Sequence, residues 1–315
     1  MPEGDTVWQA ARRLHTALAG RRLVRSDLRV PRLATADLRG REVLDVTPRG
    51  KHLLTRIEGG LTLHSHLRMD GAWQVYAPGE RWRGGPAHQI RAILGTADRT
   101  AVGYRLPVLD LLRTADERRV VGHLGPDLLG PDWDQDEALR RLLADPARPI
   151  GSALLDQRNL AGIGNVYMAE LCFLVRVTPW LPVGEVPAPE RLLALARRLL
   201  EANRDRPMRT TVGLAADRGT GPAGPAGGGG SGGGERAARH PPLARTRGGS
   251  RRVPVAGVPA DAPRQRLHVY GRAGRPCPRC GTPVRVADET HGEIGRERPT
   301  YWCPHCQPGP SPTTP

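Results

Sequence analysis

Apolar positions along the chain first recur at helical spacing. Val7, Ala10, Ala11, Leu14 and Leu18 share one face of a segment over 5–18, and Asp5 or Thr6 is the expected cap. From about 21 to 106 the pattern breaks into short apolar runs separated by Gly, Pro and Asp. That rhythm predicts a compact antiparallel β domain, with strands near 42–46, 52–57, 61–65, 73–76 and 89–94. Several Pro and Gly mark 107–134 as a connecting stretch. Helical spacing returns over 136–143, 149–156, 165–175 and 189–203. Leu192, Leu193, Leu195, Ala196, Leu199 and Leu200 supply the apolar face of the last.

The segment 214–262 changes character. It holds a Gly-rich run at 227–234 among Pro, Ala and Arg, with almost no large apolar residues, and reads as a disordered basic insertion. Order is expected again from Leu267-His268-Val269-Tyr270-Gly271 to near Gln307, before a Pro/Ser/Thr tail. The expected organisation is a β domain with its N-terminal helix over 1–118, a linker over 119–134 and a helical domain over 135–213. The insertion over 214–262, a cysteine module over 263–308 and the tail over 309–315 follow. The fold class is α+β and multidomain, and 315 residues suffice for separate cores.

Charge narrows the partner. A net +15 and a pI of about 10.9 point to an anionic polymer, with nucleic acid the default and a merely solvated basic surface the alternative. No apolar run approaches the roughly 20 residues that span a bilayer, so no membrane partner is expected. Met1-Pro2-Glu3-Gly4-Asp5 lacks the features of a signal peptide, and a cytoplasmic, nucleoid-associated monomer is expected. One lysine, Lys51, stands against 46 arginines. Either a slim, tunable ammonium is required there, or one lysine outlasted a drift to arginine.

Three places carry candidate chemistry. Cys277-Pro278-Arg279-Cys280 and Cys303-Pro304-His305-Cys306 are two CxxC pairs separated by 22 residues. Four thiolates suit one structural zinc ion, because a closed all-cysteine shell leaves no open coordination position. The segment between them suits a β-hairpin carrying Arg285, Arg296 and Arg298. Asn159-Leu160-Ala161-Gly162-Ile163-Gly164-Asn165 joins two predicted helices. Its amides and Asn165 would suit a phosphate, or the segment is only a turn. Removal of Met1 would leave Pro2 as a secondary amine, which forms an iminium directly with an aldehydic carbon. Glu3 beside it could move the protons, or both could belong to an ordinary exposed terminus.

Together these residues resemble the formamidopyrimidine-DNA glycosylase and endonuclease VIII family of base-excision repair enzymes. Four separated signatures carry the resemblance: Pro2-Glu3-Gly4, Lys51 in a Gly-Lys-His loop, Gly162-Ile163-Gly164-Asn165-Val166-Tyr167, and Val269-Tyr270-Gly271-Arg272 before the cysteines. The opening tripeptide and Arg298-Pro299-Thr300-Tyr301-Trp302-Cys303 look closer to the endonuclease VIII branch. The resemblance implies a β-sandwich, a helix–two-turn–helix domain and a hairpin zinc finger, acting on damaged double-stranded DNA. It implies Pro2 as the nucleophile at C1′, Glu3 as the acid at the sugar, and Lys51 on a phosphate beside the lesion. Asn165 and Arg298 would hold flanking phosphates, Glu170 would be a further site acid near DNA, and Met69 would fill the stack vacated by a flipped base. Met69 as a core residue and Glu170 as a surface glutamate are the alternatives. Base release followed by β- and δ-elimination is the implied reaction, with oxidised pyrimidines first; lyase action alone and a non-catalytic DNA-binding scaffold are the competing readings. Asp5-Thr6 departs from the Pro-Glu pair usual in relatives.

Overall fold

The computed structural model describes residues 2–214, 266–290 and 297–312. The insertion at 214–262 (Leu214 apart), Arg296 and the last three residues of the tail lie outside them.

Helix α1 (Gly4–Leu18) buries Val7, Ala10, Ala11, Leu14 and Leu18. Its cap differs from expectation. Glu3 takes the extended cap position and its carbonyl receives the Val7 amide at 3.0 Å, whereas Asp5 lies inside the first turn. The strands follow: β1 (Arg21–Arg22), β2 (Arg25–Leu28), β3 (Glu42–Arg49), β4 (His52–Ile57), β5 (Leu61–His66), β6 (Ala72–Tyr76), β7 (Ile90–Gly95), β8 (Thr100–Tyr104) and β9 (Val108–Arg113). One sheet runs β1-β3-β4-β5-β9 and the other β2-β7-β8-β6, with every pairing antiparallel. Leu53 and Leu63 from the first sheet share one core with Trp73 and Leu94 from the second and with Leu14 of α1. Two sheets around a common apolar layer make a sandwich.

β9 corrects the reading of 107–134 as a connection. Val-Leu-Asp-Leu-Leu-Arg does not alternate cleanly, but its backbone completes the β5 edge, pairing Leu61 with Arg113 and His66 with Val108. The chain then passes through α2 (Arg118–Val121) to α3 (Gln135–Leu142), α4 (Ile150–Leu155), α5 (Asn165–Leu174) and α6 (Pro189–Asn203). These helices enclose a second core that includes Leu154, Tyr167, Leu171, Leu193 and Leu200. α5 is buried along nearly its whole length, because its far side supports a third cluster: Ala169 and Phe173 pack against Val269, Val284 and three of the cysteines. That module includes the hairpin β10 (Arg285–Thr290) and β11 (Glu297–Trp302), which Cys303 and Cys306 follow. Among the described residues no helix is long and apolar enough to cross a membrane.

Candidate active site and metal centre

The start of α1 meets the start of α5. Glu3 is fully buried, and its carboxylate accepts hydrogen bonds from the amides of Gly164 at 2.9 Å, Val166 at 2.8 Å and Tyr167 at 3.3 Å. These donors belong to the first turn of α5, where free N–H groups and the helix dipole favour an anion. The amides read as a phosphate cradle are therefore occupied by the chain's own carboxylate. Gly164 has no alternative: a Cβ there would sit 2.6 Å from Cδ of Glu3. The Gly4 amide donates to the Gly162 carbonyl at 2.9 Å, which ties the two segments main chain to main chain. Pro2, half-buried, immediately precedes this junction.

Behind Glu3 lies a charged group that sequence reading missed. Arg209, 5% exposed, donates from Nε to Asp5 at 2.7 Å and also bonds Asp5 through Nη2. Its Nη1 lies 3.9 Å from Glu3, and its guanidinium covers the Tyr167 ring at 4.8 Å. The Tyr167 hydroxyl donates to Asp5 at 2.9 Å. Burial opposes the charge on Arg209, but Asp5 and Glu3 outweigh it and hold its pKa above the ordinary value. Burial, reinforced by Asp5, pushes Tyr167 up and keeps its proton on. Asp5, the departure from the usual sequence, is thus one half of a buried ion pair.

Lys51 sits in the tight turn between β3 and β4. Gly50, at φ 56°, brings that turn against the α5 junction: a Cβ on it would lie 3.0 Å from Ala161 Cβ. Its amide donates to Asp127 at 2.7 Å. Asp127, whose pKa burial raises, also accepts from Leu129 at 3.1 Å and so fastens the turn to the chain before α3. The Lys51 turn and the Glu3 junction consequently rest on the same loop, 161–164.

Next to Lys51 is a histidine cluster. His52 Nδ1 and His64 Nε2 are 2.9 Å apart, and the His52 ring is 4.8 Å from His66 and 6.2 Å from His123. Burial, then the neighbouring imidazoles and Lys51, lowers His52 to about 2. Burial, Arg68 and Lys51 lower His66 to about 3. His66 Nδ1 accepts the Arg68 amide at 2.9 Å, which fits a neutral ring. Met69, in the turn that follows, is 58% exposed, so the core alternative fails.

Asn165 is buried at the start of α5 and donates from Nδ2 to the Pro299 carbonyl at 2.7 Å. Half-buried Arg298 is thereby brought beside the α5 turn. Glu170 needs correction as a group facing DNA, and equally as a surface glutamate. It is fully buried, and its carboxylate accepts the amides of His268, Val269 and Tyr270 at 2.8, 2.8 and 2.9 Å, as well as Thr211 Oγ1. Burial opposes its charge, but His268, Thr211 and these amides lower its pKa overall. Glu170 pins the cysteine module to α5.

The ligand atoms of Cys277, Cys280, Cys303 and Cys306 all lie within 4.8 Å of one another. Sγ separations of 3.9 Å (Cys277–Cys306) and 3.5 Å (Cys280–Cys303) are far too long for disulfides. They bracket the separation of about 3.8 Å expected when four thiolates surround zinc at ~2.3 Å. The donor set fits a metal ion.

Comparison with known proteins agrees with this arrangement. Residues 1–120 match the formamidopyrimidine-DNA glycosylase N-terminal domain, and 124–198 the formamidopyrimidine-DNA glycosylase H2TH domain. A Streptomyces coelicolor protein named probable endonuclease 8 2 is 66% identical over 314 residues, 99% of this chain and 96% of that protein. A Mycolicibacterium smegmatis protein named DNA-(apurinic or apyrimidinic site) lyase Nei2 is 42% identical over 98% of this chain and 99% of its own length. Among solved structures, Lactococcus lactis Fpg in complex with DNA containing an abasic site superposes with a TM-score of 0.68. It is 20% identical and covers 98% of this chain and 100% of that one, which establishes a common fold.

Proposed function

Because the chain belongs to the formamidopyrimidine-DNA glycosylase and endonuclease VIII family, we propose that it is a bifunctional DNA glycosylase and abasic-site lyase of base-excision repair. One observation supports this reading above the rest: Glu3, one residue from Pro2, is held by the α5 amides on the same loop against which the Lys51 turn packs.

In this reading the Pro2 nitrogen, freed by removal of Met1, attacks C1′ of a flipped nucleotide. The C1′–base bond breaks and the base leaves; the proton lost from the Pro2 nitrogen passes to Glu3, which delivers it to the ring oxygen as the sugar opens to an iminium. The iminium acidifies the C2′ proton. Its loss breaks the C3′–O3′ bond, and a second elimination breaks C5′–O5′; water then releases the sugar from Pro2. Lys51 places one ammonium on the phosphate beside the lesion, where the neighbouring neutral imidazoles of His52 and His66 add no competing charge. Arg209 and Asp5 act as positioning residues that set the site of Glu3 from behind. Arg298 grips a flanking phosphate, Asn165 positions Arg298 through the neighbouring Pro299 carbonyl, and exposed Met69 enters the emptied stack. The four cysteines hold one structural zinc, whose bonds supply the folding energy that so small a module lacks.

Oxidised pyrimidines are the proposed bases. A lyase with little base excision is the second reading, favoured by the name of the M. smegmatis relative. Cleavage of duplexes carrying either an oxidised pyrimidine or a plain abasic site separates them. Cleavage of both supports the bifunctional reading, cleavage of the abasic duplex alone supports the second, and cleavage of neither contradicts both. Pro2→Gly and Glu3→Gln should each abolish most cleavage while duplex binding persists.

A further inference from the structure

A second concave site lies apart from Pro2, Glu3 and Lys51, where α1 meets β6, the 98–99 turn and the residues after α6. Its volume is about 760 Å³, within the ~300–1,000 Å³ usual for pockets that hold small organic ligands. Six arginines line it, Arg12, Arg13, Arg21, Arg99, Arg204 and Arg206, with Asp98 and Asp205 among them. Asp205 serves two of them, at 2.5 Å from Arg12 and 3.5 Å from Arg204, and Asp98 lies 3.6 Å from Arg21. Among the described residues no carboxylate pairs with Arg13, Arg99 or Arg206.

Positive charge is general in this chain, so charge alone distinguishes nothing. What sets the recess apart is concavity joined to an aromatic support. The guanidinium carbons of Arg12 and Arg204 lie 5.5 and 5.2 Å from the centroid of the half-buried Trp8 ring. The indole holds both forks close together, where their mutual repulsion would otherwise spread them. Gln9 donates to the carbonyls of Asn203 and Arg206 at 3.0 and 2.8 Å, which fastens the end of α6 to α1 and keeps the walls in fixed relation. Walls held in place before a ligand arrives lower the entropy lost on binding.

We infer that this recess binds a nucleotide, with the phosphates on the arginine forks and the base against the guanidinium and indole planes. Arginine presents both features at once, an edge that matches phosphate oxygens and a face that stacks on an aromatic ring. An acidic peptide would meet the charge but leave the stacking faces unused. The ligand chemistry, base plus phosphate, can come from a free nucleotide or from one unit of a single strand. No recess residue is used in the cleavage chemistry, so the inference stands independently of it.

Calorimetric titration of the full chain with ATP, and separately with a short unmodified oligothymidylate, tests this. Saturable one-to-one binding of at least one ligand is expected. Reversing two exposed charges in the Arg13→Glu/Arg99→Glu variant should weaken it about tenfold or more. Trp8→Leu removes stacking but no charge, and should weaken ATP more than pyrophosphate. Tighter ATP identifies the free nucleotide, and a tighter oligonucleotide identifies a strand. Abasic-duplex cleavage is followed in parallel: retained cleavage with lost nucleotide binding assigns the loss to the recess. Loss of both together, unchanged binding in the variants, no saturable binding, or preference for oligoglutamate overturns the inference.

Discussion

Replacing Arg209 by methionine keeps much of its bulk and removes the one cation that, among the described residues, bonds the buried Asp5 carboxylate. At 2.7 Å from Asp5 and 3.9 Å from Glu3, attractions of ~6 and ~4 kcal/mol follow for an effective dielectric constant of about 20. Most of that offsets the cost of taking the charges out of water, so the intact group contributes little net stability. Removing one partner is different, because the carboxylates stay buried without compensation; a loss of ~3–5 kcal/mol is expected. Urea unfolding of Arg209→Met against the parent measures it. Adding Asp5→Asn removes one stranded charge and should recover ~1–3 kcal/mol of the loss. Strand cleavage should fall in Arg209→Met and return in part with Arg209→Lys, which restores charge without the fork. A loss below about 1 kcal/mol, or a double variant less stable than Arg209→Met, would refute the argument that these carboxylates depend on Arg209.

Gly164→Ala should displace the Glu3 carboxylate, since the added Cβ would lie 2.6 Å from Cδ; cleavage should drop about 100-fold or more with DNA affinity little changed, measured by single-turnover kinetics and fluorescence anisotropy. Burial keeps His52 neutral down to about pH 2, whereas the unfolded chain protonates it near 6.5. The unfolded state therefore binds more protons between these values, and stability is lost as pH falls below about 6.5. His52→Gln should flatten that loss by up to ~1.4 kcal/mol per pH unit in urea titrations between pH 6.5 and 4.5, and an unchanged slope would show that the ring is not held neutral. Elemental analysis should find one zinc per chain; stripping it with a thiol-reactive mercurial and a chelator should disorder the β10–β11 hairpin and abolish DNA binding, whereas unchanged binding would contradict a structural metal.

Much of this was visible in the chain itself. The apolar face of α1 and the hydrophobic stripe of α6 follow from periodicity, and the cysteine spacing pointed to a clustered donor set that the structure brings together. What escaped depends on partners far away in sequence. β9 is a strand because β5 offers an open edge, not because its own residues alternate. Arg209 is one arginine among 46, and its meaning arises only across 204 positions, where Asp5 receives it. Glu170 looked exposable because one helix face cannot reveal that a separate module, nearly 100 residues on, will cover it. The phosphate cradle failed for a related reason: amides at a helix start donate to any anion, and Glu3 arrives first by belonging to the same chain.

The central assignment is a covalent one, so locating the bond tests it most directly. Borohydride reduction during reaction with an abasic duplex, followed by proteolysis and mass spectrometry, should find the deoxyribose remnant on the peptide that begins at Pro2, and none in Pro2→Gly. A remnant on Lys51, or no adduct in an enzyme that still cuts the strand, would contradict it.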